Sequence, residues 1–179
     1  MTRKEFNVFV ETMLTDFRVV EHYHFYKRQS DLNLIRKQAE EDFWEHFETS
    51  RKAGLEIWTV FDQLAESSPR WMYGWSGLLH TSLAKKYGGP ELQYMIAGRA
   101  HGLGYATEAA ATVLRDAKER ALASKVIATV DIPNAGSIRV LEKLNFELVG
   151  QIEAYGSADM YLYAKELDKK IPAGAGIQS

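Results

Sequence analysis

Arg99-Ala100-His101-Gly102-Leu103-Gly104-Tyr105-Ala106-Thr107-Glu108-Ala109 is the stretch on which the reading of this chain turns. Before it, Leu92, Tyr94 and Ile96 alternate as half-buried strand residues do. After it, Ala106, Ala109, Ala110, Val113, Leu114, Ala117 and Ala121 recur with the period of one helical face. Gly98, Gly102 and Gly104 lie between, three glycines in seven residues, more than one turn requires. A strand, a glycine loop and a helix together make an anion site. The first-turn amides of a helix have no intrahelical acceptor, and the macrodipole adds partial positive charge there. Glycine lets backbone come close and adopts positive φ without steric cost. The pattern therefore predicts a phosphate-bearing ligand at Gly102–Ala106.

Spacing narrows the choice. No Lys follows Gly104, so the loop lacks the Gly-Lys-Ser/Thr ending of nucleoside triphosphatases. The third glycine of a dinucleotide fingerprint is replaced by Thr107, and Asp131 lies too far along to serve as its ribose-binding acid. What remains is Arg-x-x-Gly-x-Gly. That loop resembles the pyrophosphate loop of the GNAT N-acetyltransferases, Gln/Arg-x-x-Gly-x-Gly/Ala. A second segment, Asn134-Ala135-Gly136-Ser137-Ile138-Arg139-Val140-Leu141-Glu142-Lys143-Leu144-Asn145-Phe146, resembles the family's Asn-x-x-Ser-x-x-Val-Leu-Glu-Lys-x-Gly-Phe. The pair is most similar to the RimJ/RimL-type branch, the ribosomal-protein N-terminal acetyltransferases and their relatives. The resemblance spans roughly Ala53 to Leu167; the first fifty residues match poorly.

The resemblance implies an α/β GNAT fold: a mixed central sheet, split at the cofactor site and flanked by helices. It implies acetyl-CoA as cofactor and direct attack of a primary amine on the thioester. Protein N-termini and small-molecule amines are the acceptor classes, and the acceptor pocket falls to the N-terminal helices and the loops near Ser82 to Gly89. Amides of Gly102, Leu103, Gly104, Tyr105 and Ala106 would surround the pyrophosphate, with Arg99 either adding a charged contact or facing solvent. Backbone at Tyr94, Met95 and Ile96 would pair with the pantetheine arm. Asn134 would hydrogen-bond the same arm. Arg139, four residues from Lys143, either reaches the 3′-phosphate or is solvated. Two rival readings stand beside this one: a non-catalytic acyl-CoA-binding module and a nucleotide-binding domain.

Catalytic assignments are thinner. The family's helix Tyr, which protonates the departing thiolate, corresponds to Leu141, so Ser137 or water must take that part. Glu91 aligns with the catalytic Glu of several members and is the candidate general base; its plain reading is an exposed carboxylate at a strand start. His80, ending its strand, is another candidate base. Asn134 has a local role too, as a helix N-cap accepting from the N2 or N3 amide. Asn145 replaces the family's Gly, and Asn is the next most tolerant residue at a left-handed helix end.

Bulk properties agree with one domain. The 179 residues are enough to bury roughly 70% of the unfolded-chain surface. They contain no cysteine, which removes disulfides, thiolate metal sites and a cysteine nucleophile. No apolar run approaches the roughly 18 residues of a membrane span, no leader pattern opens the chain, and cytoplasmic residence is expected. A net charge of −2 argues against a nucleic-acid surface. We expect no metal, and a monomer or homodimer.

Along the chain, Val8, Met13, Phe17, Val20 and Tyr23 outline one helical face, and Ile35, Ala39, Phe43, Trp44 and Phe47 a second. Asp31 is a candidate cap of the second helix and Gly54 lies just past its end. The family's opening strand is short or missing, with 6–10 the sole candidate. Strands are expected at 55–61, 71–80 (forming a hairpin), 91–97, 125–130, 146–152 and 160–164, and a helix from Asn134 to near Leu144. Trp58, Trp71 and Trp75 read as core. The domain is expected over 1–168, followed by a flexible tail at 169–179.

Overall fold

A computed structural model of the chain describes Asp16, Val19 and residues 32–61 and 72–167. The elements run α1 (Leu32–Lys52), β1 (Ile57–Phe61), β2 (Met72–Leu79), α2 (Ser82–Tyr87) and β3 (Glu91–Ile96). A 3₁₀ turn (Gly98–Ala100) follows, then α3 (Tyr105–Glu119), β4 (Lys125–Asp131), α4 (Ala135–Lys143), β5 (Glu147–Ala154) and β6 (Ser157–Glu166). The six strands form one mixed sheet in the order β1-β2-β3-β4-β6-β5. Every neighbouring pair is antiparallel except β3 and β4, which are parallel and meet at one register position, Glu91 opposite Ile127. Pro90 O accepts from Ile127 N at that point. Beyond it the two strands are unpaired, and the sheet opens into a split.

The core explains why these elements assemble. α3 buries Ala110, Val113, Leu114 and Ala117, the helical face anticipated from spacing. They pack on Leu78, Leu92, Val126, Ala128 and Val130 from three adjacent strands, with Leu141 of α4 and Phe146. Burying Val113 and Leu114 contributes roughly 1.5–3 kcal/mol each. Alternation along β3 and β4 then decides the opposite face. Ile127 joins Leu83, Ala154, Met160 and Leu162 there, so the β5–β6 hairpin end curls over β4 toward α2. α1 is tied on by Ser50, which is fully buried: its hydroxyl donates to His46 O and accepts from the His80 amide.

Chain ends of helices follow local chemistry. Asn134 caps α4, its side chain accepting from Ser137 N at 3.0 Å. At the other end Asn145 takes a φ of 57°, with Asn145 N bonded to Glu142 O and Phe146 N to Leu141 O. These are the two bonds of a Schellman ending, closed by contact between buried Leu141 and Phe146.

Several expectations need correction. Residues 82–87 form a helix rather than a loop. Trp58 is 45% exposed, because β1 ends the described sheet and alternation turns Trp58 away from buried Ile57; Trp75 is core. β6 begins at Ser157, earlier than its hydrophobic pattern indicated. The candidate opening strand, the first helical face, Asp31, Trp71 and the tail lie outside the described residues. Among the described residues no helix is long and apolar enough to cross a membrane.

Candidate active site

The glycine loop is built around aromatic and backbone anchors. After β3, Ala97 N donates to Tyr73 O, and Ala100 N and His101 N close the 3₁₀ turn on Ala97 O and Gly98 O. His101 folds back on the strand, its Nε2 lying 2.8 Å from Ile96 O, a contact that requires the Nε2–H tautomer. The Arg99 guanidinium donates to Met72 O at 2.9 Å and lies over the Tyr73 ring. Tyr105, first residue of α3, packs its ring on Tyr73 with centroids 5.0 Å apart. Arg99 thus fastens the loop to β2, a third role besides cofactor contact or solvation.

What this frame holds up is bare backbone. Gly102 and Gly104 have φ values of 78° and 91°, and no atom lies within 4 Å of where a Cβ would stand on either. Gly104 is the N-cap of α3 and no side chain caps it. The amides of residues 102–107 donate to no acceptor among the described residues, and the first cap bond is Glu108 N to Gly104 O. Unsatisfied helix donors beside open glycines are a cradle for an anion. A diphosphate fits this donor set. Leu103, 69% exposed, points away from packing.

The split is bridged by side chains on both faces. On the α3/α4 face, Tyr94 OH donates to Ser137 O at 3.3 Å, joining β3 to the first turn of α4. Burial pushes the Tyr94 phenol up to about 12 from 10.0, with the Ser137 bond pulling the other way. The structure therefore brings Tyr94, Asn134 and Ser137 together. Met95 and Ile96 bury their side chains. Arg139 and Lys143 are exposed on α4. Leu141 is core, so the family's helix phenol has no counterpart at that place.

On the opposite face Glu91 is 1% exposed, which overturns its reading as an exposed strand-end carboxylate. Three hydroxyls donate to it. Thr129 reaches Oε1 at 2.6 Å across the split, while Thr81 at 2.7 Å and Tyr155 at 2.5 Å share Oε2. Thr81, Thr129 and Tyr155 were not visible as site residues in the sequence, because they come from three separated segments. The Tyr155-Gly156 turn between two strands was the one available signal. Ser137 is not among the partners of Glu91. His80 is exposed beside Thr81, with its amide held by Ser50.

Comparison with known proteins agrees with this fold. The model of the acetyltransferase (GNAT) domain matches residues 1–147, and the chain belongs to that family. No curated protein matches its sequence. Solved structures share the fold. Spermidine N-acetyltransferase from Vibrio cholerae, solved with CoA and spermine, is 13% identical at a TM-score of 0.65, covering 93% of this chain and 92% of that one. The YncA protein of Salmonella typhimurium, solved with its cofactor acetyl-CoA, is 15% identical at 0.64, covering 98% and 96%. Ribosomal-protein-alanine N-acetyltransferase from Brucella melitensis is 17% identical at 0.65, covering 93% and 97%. As a GNAT acetyltransferase the protein uses acetyl-CoA.

Two stability tests follow. Glu91→Ala leaves three hydroxyls without their acceptor, and a urea melt should show a loss of roughly 3 kcal/mol, at about 1 kcal/mol or more per orphaned donor; an unchanged midpoint would remove Glu91 as a structural clasp. Tyr94 has a folded-state value above the unfolded one, so its contribution is complete below pH 10 and is lost as pH rises toward 12. Between those limits the native chain should lose about 2 kcal/mol more stability than Tyr94→Phe, at 1.36 kcal/mol per pH unit. Parallel alkaline losses in the two proteins would contradict the shift.

Proposed function

We propose that this acetyltransferase transfers the acetyl group of acetyl-CoA directly to a primary amine. The observation that carries the reading is the uncapped N-terminus of α3 with its open glycines, directly following the strand at which the sheet splits. In this reading Gly102, Leu103, Gly104, Tyr105 and Ala106 hold the diphosphate through backbone N–H groups. Backbone at Tyr94, Met95 and Ile96 and the Asn134 side chain align the arm, and Arg139 supplies a cation on the outer face of α4. Arg99 keeps the loop in shape.

When bound, acetyl-CoA supplies an activated acyl thioester. The chain's own contribution is placement, which can account for much of an acyl transfer barrier. Amides near Met95 and Ile96 donate to the carbonyl oxygen as charge develops on it. The Ser137 hydroxyl donates toward the departing sulfur. Tyr94, with its phenol raised to about 12, holds its proton and serves as a fixed donor. Glu91, on the other face of the split, receives the proton that the amine must shed before it attacks.

The acceptor is a protein N-terminus or a small-molecule amine. The Asn134–Phe146 segment favours the RimJ/RimL-type branch, and the ribosomal-protein-alanine enzyme from Brucella melitensis shares the fold. The spermidine enzyme is the small-molecule counterpart.

Acetyl-CoA mixed with the protein and a panel of primary amines (polyamines, aminosugars, peptides with free N-termini) should release free thiol. The same compounds N-acetylated in advance should not. Coenzyme A binding by calorimetry with no thiol release across the panel would establish a non-catalytic binding module instead. Thermal stabilisation by ATP or NAD but not by coenzyme A would overturn the cofactor assignment.

A further inference from the structure

Glu91 has no room for an amine. Both carboxylate oxygens are engaged, and the residue is 1% exposed. Of the three hydroxyl partners, Thr81 is buried and Thr129 half-buried, while Tyr155 is 47% exposed. Tyr155 is the most exposed of the three and joins the buried carboxylate to the surface. Its position is also unusual for its type. Tyr155 and Gly156 form the two-residue end of the β5–β6 hairpin, between paired Ala154 and Ser157. Both have positive φ, 51° and 75°. Asn, Asp or Gly fill such a turn at low cost, whereas a bulky aromatic there is a genuine outlier. Strain of this kind persists where surrounding contacts hold it, and it clusters at functional sites. Here the holding contacts are Ala154, buried against Leu83 and Ile127, and the phenol's bond to Glu91.

We infer that Tyr155 is a proton relay between the amine acceptor and Glu91. This rests on the amine-acetylation reading above. The acceptor arrives as an ammonium ion and lies against the Tyr155 hydroxyl. One ammonium N–H bond breaks as a new O–H bond forms at Tyr155 Oη. The original Tyr155 O–H bond breaks as its proton bonds to Glu91 Oε2. The amine is left neutral with its lone pair free, Tyr155 is again a neutral phenol, and Glu91 is a neutral acid. After transfer the proton returns from Glu91 through the same hydroxyl to water. Thr81 and Thr129 hold the carboxylate so that Oε2 keeps facing Tyr155.

The relay has a signature that a packing role lacks: it matters only when the acceptor carries a proton to remove. Tyr155→Phe keeps the ring and deletes the hydroxyl, and Tyr155→Asn suits the turn and deletes the whole phenol. With an alkylamine protonated at neutral pH, kcat of both variants should fall about 10²-fold, the lower range for general acid–base groups. With an amine already neutral at that pH, both should stay within a few-fold of the native protein. Coenzyme A affinity by calorimetry and the melting temperature should hold in at least one of the two. Equal losses with both amines, or no loss with either, would overturn the relay while leaving acetyl transfer standing. A native protein that releases no thiol with any amine would overturn the transfer reading and the relay with it.

Discussion

The meeting of Glu91 and Ile127 is the constraint on which the rest depends. β3 and β4 are parallel neighbours that pair at that one position and then part. Parting exposes backbone edges, which a sheet tolerates only when something else satisfies them. Side chains take over at the vertex: Thr129 crosses to Glu91 on one face, and Tyr94 crosses to Ser137 on the other. The outer partners do not part. β2 follows β3 along its length and β4 is fully laddered to β6. The split is therefore a wedge between two laddered half-sheets.

The wedge also sets where the glycine loop and the two bridged faces lie. α3 follows the unpaired end of β3 in the chain, through the 3₁₀ turn and the glycine loop that carry its orphan amides. The loop that makes the connection is tied back by His101 on Ile96 and by Arg99 on Met72, while its glycines supply the positive φ values. The two faces divide the chemistry. One carries α3, α4, Tyr94 and Ser137; the other carries α2, Glu91 and its hydroxyls. A buried carboxylate with three donors is a costly group to assemble, and its partners come from α2's approach, β4 and the far hairpin. Such an arrangement fixes those three segments relative to one another around a buried carboxylate.

Local signals were legible in the sequence where a local rule governs. The Gly102-x-Gly104 loop, the α3 face at Ala110, Val113, Leu114 and Ala117, the Asn134 cap and the left-handed Asn145 all follow from spacing and backbone chemistry within a few residues. The split was implied by family resemblance rather than by pattern, since strand order depends on contacts distant in the chain. Glu91 shows where reading stops. Its neighbours at a strand start, after Gly88-Gly89-Pro90, suggest exposure, and its burial comes from Thr129 and Tyr155, 38 and 64 residues away. Arg99 was legible as a loop cation but not as a loop fastener, because Tyr73 and Met72 reach it through tertiary packing. Trp58 misled because its strand ends the described sheet.

The central assignment is that coenzyme A is held by backbone amides at the start of α3. Amide hydrogen exchange with and without coenzyme A reads this directly. Gly102, Leu103, Gly104, Tyr105 and Ala106 should become protected at saturation, along with the β3 edge near Met95 and Ile96. Saturating coenzyme A that leaves those amides exchanging as before, with protection gained elsewhere in the chain, would contradict it.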